Sequence, residues 1–269
     1  MIKFERTKVY NIANAIYGAR NPLNSWHLAD SDMEKDIVGP SDMKLAKKLI
    51  NAGDPSHRKF LRQIFVTVDI TAPLYWWKEY DTYKVATVAN SCSTMHKIHA
   101  NEFTLDDFSH EHLDVRTIEV LKNIVDVLND YRTLYVNYNA NYFEVKGCPN
   151  KKDIWWQLIQ LLPSSYNQKR TITMNYENII AMVHQRKHHK LDEWRIGFIE
   201  WARTLPYAQE FIFFDETSSE EEVVVAKNAT PNPIDEEIKV LWNSGMGKKR
   251  ISQKCHVTTE YVAQVIGGK

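Results

Sequence analysis

Every second residue between positions 64 and 70 is apolar: Ile64, Val66, Val68 and Ile70 alternate with Phe65, Thr67 and Asp69. A period of two turns one face of an extended strand toward a core. Ala72-Pro73 ends the run, and a proline at that point suits the first turn of a helix. The chain must therefore pass from a sheet directly into "LYWWKEYDTYK". This segment sets Tyr75, Trp76, Trp77, Tyr80 and Tyr83 around Lys78, Glu79, Asp81 and Lys84, and it leads into the hydroxyl-rich residues 91–94. Two readings of it stand side by side. It is a buried helix whose rings fill a core, with its charges at the rim. Or its rings, beside Lys84, Thr87, Ser91, Ser93 and Thr94, form a stacking surface for a planar, phosphorylated ligand.

Helical spacing dominates further on. Ile118, Leu121, Val125 and Leu128 recur within residues 114–138, and "KKDIWWQLIQLLP" predicts a second buried helix stopped near Pro163. Residues 170–174 are short and β-like. Asn175 then suits the cap of a helix through Ile179, Ile180, Val183 and Arg186, followed by another with Leu191, Trp194, Phe198 and Trp201 on one face. The expected class is α+β: a helix-dominated domain with a small mixed sheet over residues 1–214. With 43% hydrophobic residues among 269, one such core and a smaller unit are affordable. The boundary falls at residues 215–233, "DETSSEEEVVVAKNATPNP", where acidic, Ser-rich and Pro-containing composition favours a linker.

Residues 234–269 predict a small all-α domain of three short helices. Ile251 and Cys255 lie four apart, Val257 follows the turn, and Val262 and Ile266 lie four apart on the next helix. That spacing is helix-turn-helix-like: two helices share an apolar seam and the second keeps one face free. The turn position usually held by glycine is His256. On a DNA-binding reading, Lys248, Lys249, Arg250 and Lys254 contact phosphates, while Thr258, Thr259, Tyr261 and Gln264 are near or on the free face. A docking or oligomerisation module is the other reading, favoured by Glu260 and the acidic segment at 220–222.

Composition excludes other classes. Lys and Arg number 34 and Asp and Glu 34, so no global field draws the chain to nucleic acid or an anionic membrane, and such a partner needs a local patch. No stretch approaches the roughly 20 apolar residues of a membrane span. Three separated cysteines, Cys92, Cys148 and Cys255, give neither a disulfide framework nor a thiolate zinc site. With the charged start "MIKFERTK", this predicts a soluble, cytoplasmic chain. His184 and His188 have ligand spacing without a third ligand, so no metal is expected. Nine glycines leave no glycine-rich phosphate loop, and any phosphate would be held by side chains.

The strand, Ala72-Pro73 and the helix that follows resemble one known family, the flavin-dependent thymidylate synthases. That family joins a strand ending in Ala-Pro to a helix carrying Arg-Gln, an Arg-His-Arg-x-x-Ser signature and an Asn-Glu-x-Ser-x-Arg-Tyr loop. Here the signature stands as Thr82-Tyr83-Lys84-x-x-Thr87, Arg-Gln as Lys78-Glu79, and the loop as residues 89–95. His57 lies roughly 15 residues before Ala72, where the family has a flavin-contacting histidine. Leu162-Pro163, Asn175 and Arg186, the last eleven residues after Asn175, match a second block. The resemblance covers roughly residues 10–205. It implies FAD bound through His57, Lys84, Thr87 and Asn175. It implies a deoxyuridylate-type nucleotide bound through Lys78, Glu79, Ser93, Thr94 and Arg186. Methylenetetrahydrofolate as carbon donor and a homotetramer with active sites shared between subunits also follow from it. No side-chain nucleophile is required, because reduced flavin supplies the hydride, and which side chains are catalytic is left unassigned. Two functions stay open: reductive methyl transfer to the nucleotide, or a non-catalytic nucleotide- or flavin-responsive scaffold carrying a DNA-binding unit.

Overall fold

In the computed structural model, which describes residues 2–139, 150–216 and 233–267, the alternating segment becomes β2, Phe65–Pro73. Among the described residues it is one of four strands, with β1 at Lys3–Tyr10, β3 at Val88–Ser91 and β4 at Asn167–Asn175, in the order β1-β2-β4-β3. Every pairing is antiparallel, which corrects the expectation of a mixed sheet. The reason is local. Leu74 and Tyr75 donate backbone N–H bonds to the carbonyls of Tyr166 and Ser164 at 3.0 and 3.1 Å, so the chain enters β4 beside the exit from β2. Pro73 thus sits opposite Asn167, and Phe65 opposite Asn175.

One face of the sheet is apolar. Val66, Val68, Ile70 and Ala72 of β2, with Ile172 and Met174 of β4, are all fully buried. They pack with Trp76, Trp77, Trp194 and Phe198 in the main core. The other face is polar. Asp69 accepts two bonds from Arg6 of β1 at 2.7 and 2.8 Å and one from the Thr171 hydroxyl of β4 at 2.8 Å. The hydrogen bonds from Arg6 and Thr171 hold the Asp69 carboxyl well below the usual carboxylate range, against the opposing effect of burial.

Helices follow their caps. Asp114 caps Val115–Val136 by accepting from the Thr117 N–H, and Asn150 caps Lys151–Leu161 by accepting from Lys152 and Asp153. These two helices share a second core of Leu121, Val125, Leu128 and Leu158 with Phe103 and Phe108. Asn175 and Asn178 form a reciprocal capping box at the start of Tyr176–Arg186. Trp194 and Phe198 lie on a π-helical turn, Glu193–Phe198, which runs into the α-helix Ile199–Arg203. The aromatic helix is shorter than its sequence suggests, Leu74–Tyr80. Residues 88–91 are strand β3 rather than loop, paired with Thr173 to Arg170 of β4.

The chain divides into two compact units, Met1–Phe214 and Asp215–Lys269. The second carries helices Pro233–Asn243, Lys248–Lys254 and Thr259–Val265, which meet through Ile238, Ile251 and Val262. Between the last two helices His256 adopts φ 54° and Thr258 caps the final helix by accepting from the Tyr261 N–H. Among the described residues, no helix is long and apolar enough to cross a membrane.

One buried ion pair organises residues 20–42. Arg20, 3% exposed, donates from Nε at 2.6 Å to Asp42, which is fully buried and also accepts from the Ser31 hydroxyl and from the Asp30 and Ser31 N–H groups. Removing one partner of a buried pair leaves the other charge uncompensated, so Asp42→Ala is expected to cost about 3–5 kcal/mol. Urea unfolding measures it; a loss below about 1 kcal/mol would contradict the account.

Candidate functional site

Three of the four rings of the aromatic helix are closed to a ligand, and the fourth, Tyr75, is half-buried. Trp76, Trp77 and Tyr80 are at most 2% exposed. Trp76 stacks on Trp194 with ring centroids 4.5 Å apart and on Tyr80 at 5.3 Å, and Trp77 meets it edge-on at 4.8 Å. Charge, not ring surface, is what this helix presents. Lys78 is exposed, Glu79 half-buried, and Asp81 follows in the turn.

Two arginines meet those carboxylates. Arg186 lies at the last turn of Tyr176–Arg186, where its cation is favoured by the helix dipole. Its Nη1 is 2.9 Å from the Glu79 carboxylate, and its Nε donates at 2.9 Å to the Tyr83 hydroxyl, which itself donates to Gln185. The guanidinium stands over the Tyr83 and Trp194 rings at 5.4 and 5.3 Å. Two residues predicted separately for the substrate site, Glu79 and Arg186, are thus brought together.

The second arginine, Arg170, was not anticipated. It sits on β4 with its guanidinium 4.2 Å from the Trp77 ring, donating from Nε to Gln168 at 3.0 Å and from Nη1 to Asp81 at 2.8 Å. A signal was present: Gln168, Arg170, Ile172 and Met174 occupy alternate positions, so an arginine falls in the register of a buried face. Tyr80 lies in the same surroundings. Burial first, then the nearby Asp81 charge, push its phenol up and keep it protonated, although Arg170 acts in the opposite sense.

Between the helix and β3, the turn at residues 81–87 borders a cavity of about 300 Å³ lined by Tyr80, Asp81, Tyr83, Lys84, Thr87 and Ala89. Lys84 is exposed and has no ion pair among the described residues. The Thr87 hydroxyl donates to the Tyr83 carbonyl, closing the turn. The amide of Asn178 fastens the turn to the neighbouring helix through the Val85 carbonyl at 2.9 Å.

Asn175 and His57 lie apart from that cavity. Asn175 is 3% exposed, and its carboxamide oxygen accepts from the Asn178 N–H within the capping box. It stands at the opposite end of its helix from Arg186, about 16 Å away at 1.5 Å per residue. His57 is exposed and lines a different cavity of about 800 Å³ with Leu45, Leu49, Phe60 and the basic side chains of Lys59 and Arg62. Ser93 caps the short helix Thr94–Lys97 by accepting from the His96 N–H at 3.2 Å, and Thr94 is half-buried behind it. In the second unit Lys248, Lys249, Arg250, Lys254, Thr258, Thr259 and Gln264 are exposed, and Tyr261 is half-buried.

No protein-family model and no curated protein sequence matches the chain. Solved structures do. Thymidylate synthase X from Helicobacter pylori with FAD and dUMP is 15% identical at a TM-score of 0.52, over 80% of this chain and 97% of that one. A second structure, flavin-dependent thymidylate synthase from Helicobacter pylori complexed with FAD and dUMP, is 16% identical at a TM-score of 0.54, over 80% of this chain and 98% of the other. At that identity the likeness establishes a shared fold.

The Glu79–Arg186 pair is partly solvated, with the carboxylate 42% exposed. A double-mutant cycle of Glu79→Ala and Arg186→Ala, read by urea unfolding, should give a coupling of about 0.2–1 kcal/mol. Arg186→Ala alone should cost more than Glu79→Ala, since it also removes the stacking on Tyr83 and Trp194. Equal single losses would contradict that ordering.

Proposed function

We propose that the first unit is a diverged flavin-dependent thymidylate synthase-like domain that binds FAD and a deoxyuridylate-type nucleotide for reductive methyl transfer. The observation that carries the reading is the gathering of Arg186, Glu79 and Tyr83 against Trp194, beside a cavity bordered by Lys84 and Thr87, on a fold shared with enzymes solved with FAD and dUMP. An arginine suits a phosphate-bearing ligand because its planar fork offers paired donors.

The donor set near His57 fits a flavin nucleotide: Leu45, Leu49 and Phe60 offer an apolar floor, and Lys59 and Arg62 offer cations for a pyrophosphate. FAD would be held there and at Lys84 and Thr87. Asn175 contributes by fixing the helix that ends in Arg186, since its carboxamide oxygen is committed to the cap. Bound flavin would supply hydride chemistry to a methylene group brought by a folate donor. The chain's own residues bind and orient. Lys78, Glu79, Ser93, Thr94 and Arg186 would surround the nucleotide, and a homotetramer would complete the sites from neighbouring subunits.

Purified protein mixed with FAD should show bound flavin absorbance after desalting. Calorimetry should show dUMP binding that Arg186→Ala weakens by about 1.5–3 kcal/mol, roughly 10- to 150-fold in Kd. Colourless protein with unchanged dUMP affinity in the variant would contradict the reading.

A second reading concerns residues 233–267. The left-handed turn at His256, the Thr258 cap and the shared seam of Ile251 and Val262 support a helix-turn-helix that contacts duplex DNA. On it the first unit is a ligand-responsive scaffold. Lys248, Lys249, Arg250 and Lys254 would make four phosphate contacts, giving a log-log salt slope of about −3.6. Replacing Lys248, Lys249 and Arg250 with alanine in the full chain should flatten it to about −0.9. A band-shift series with no salt-dependent binding would leave protein docking as the role of this unit.

A further inference from the structure

Arg170 carries more N–H donors than its contacts among the described residues use. Its Nε and one Nη1 hydrogen are used by Gln168 and Asp81, which leaves three of its five N–H donors without an acceptor among the described residues. Its side chain is only 14% exposed, and its guanidinium is held flat against Trp77 at 4.2 Å. Trp77 is itself anchored by its indole N–H on the Gln168 carbonyl at 2.9 Å. The orientation of this fork is therefore fixed before any ligand arrives.

Its one counter-ion among the described residues is not fixed in the same way. Asp81 is 54% exposed, at the end of the aromatic helix and on the wall of the cavity that Lys84 and Thr87 share. A carboxylate so placed neutralises Arg170 at little cost and can swing to water. A phosphomonoester brings a larger charge and three acceptor oxygens to the same donors.

We propose that Arg170, reached through the Asp81 wall of this cavity, grips the phosphate of a nucleoside monophosphate bound beside the flavin that Lys84 and Thr87 would hold, and that Asp81 is the resident counter-ion the phosphate displaces. The proposal rests on the nucleotide-binding reading above and names the group that selects the phosphorylated form of the ligand. Arg186 and Arg170 then divide the work. Arg186 is engaged by Glu79 and Tyr83, whereas Arg170 has donors to spare.

Calorimetry of the full chain with dUMP and with deoxyuridine separates the phosphate from the rest of the ligand. The unaltered protein should bind dUMP more tightly than deoxyuridine. Arg170→Ala should weaken dUMP about 10-fold or more and leave deoxyuridine unchanged. Arg170→Lys should fall between, having charge without a fork. Asp81→Asn, a substitution at an exposed position that keeps the fold, should tighten dUMP and not deoxyuridine. Unchanged dUMP affinity in Arg170→Ala, equal weakening of both ligands, or looser dUMP binding in Asp81→Asn would each overturn the assignment while leaving nucleotide binding in place. Absence of dUMP binding by the unaltered chain would overturn both.

Discussion

The antiparallel pairing of β2 with β4 is the constraint on which the first unit depends. Nine residues of β2 face nine of β4 in unbroken register, from Phe65 opposite Asn175 to Pro73 opposite Asn167. A slip of one residue would turn Val66, Val68 and Ile70 to the polar face and drive the Asp69 carboxylate into the apolar core. Both ends of this pairing lead into the site. At one end Pro73 hands the chain to the aromatic helix; at the other Asn175 caps the helix that ends in Arg186. Arg170 lies on β4 itself, opposite Ile70 and Ser91. The positions of both arginines follow from one ladder of backbone hydrogen bonds.

Indole packing then places the charge. Trp76 lies between Trp194 and Tyr80, and the two outer tryptophans each support a guanidinium, Trp77 under Arg170 and Trp194 under Arg186. A cation over an aromatic face is favoured by the ring quadrupole, and arginine retains its in-plane donors while stacked. Lysine, a compact and strongly hydrated charge, would gain less there. Carboxylates from one short stretch, Glu79 and Asp81, balance the two cations. The two arginines are thus each paired at rest yet keep directed N–H groups, an arrangement suited to exchanging a carboxylate for a phosphate.

Much of this was legible in residue order. Alternation in β2, the Asn175 cap and the periodic Leu121, Val125 and Leu128 all appear as their chemistry demands. Strand β1 was not foreseen, because it is an edge strand with most side chains exposed, so no alternation is imposed on it. Strand β3, Val-Ala-Asn-Ser, is exposed throughout and owes its conformation to β4 alone. Strand direction was equally hidden, since a period of two is the same in either sense. In the site, the role of charge at Glu79 and Arg186 could be read, but their mutual contact could not, being a matter of how two helices converge. Arg170 could have been found by asking why a β4 position in register with Ile172 and Met174 carries a guanidinium.

The central claim is that these aromatic-backed arginines receive a nucleotide phosphate. Phosphorus NMR of dUMP titrated with the full chain tests it at the atom concerned. The account predicts a saturable shift and broadening of the phosphate resonance as protein is added. A resonance that stays sharp and unshifted up to a molar excess of protein would contradict it.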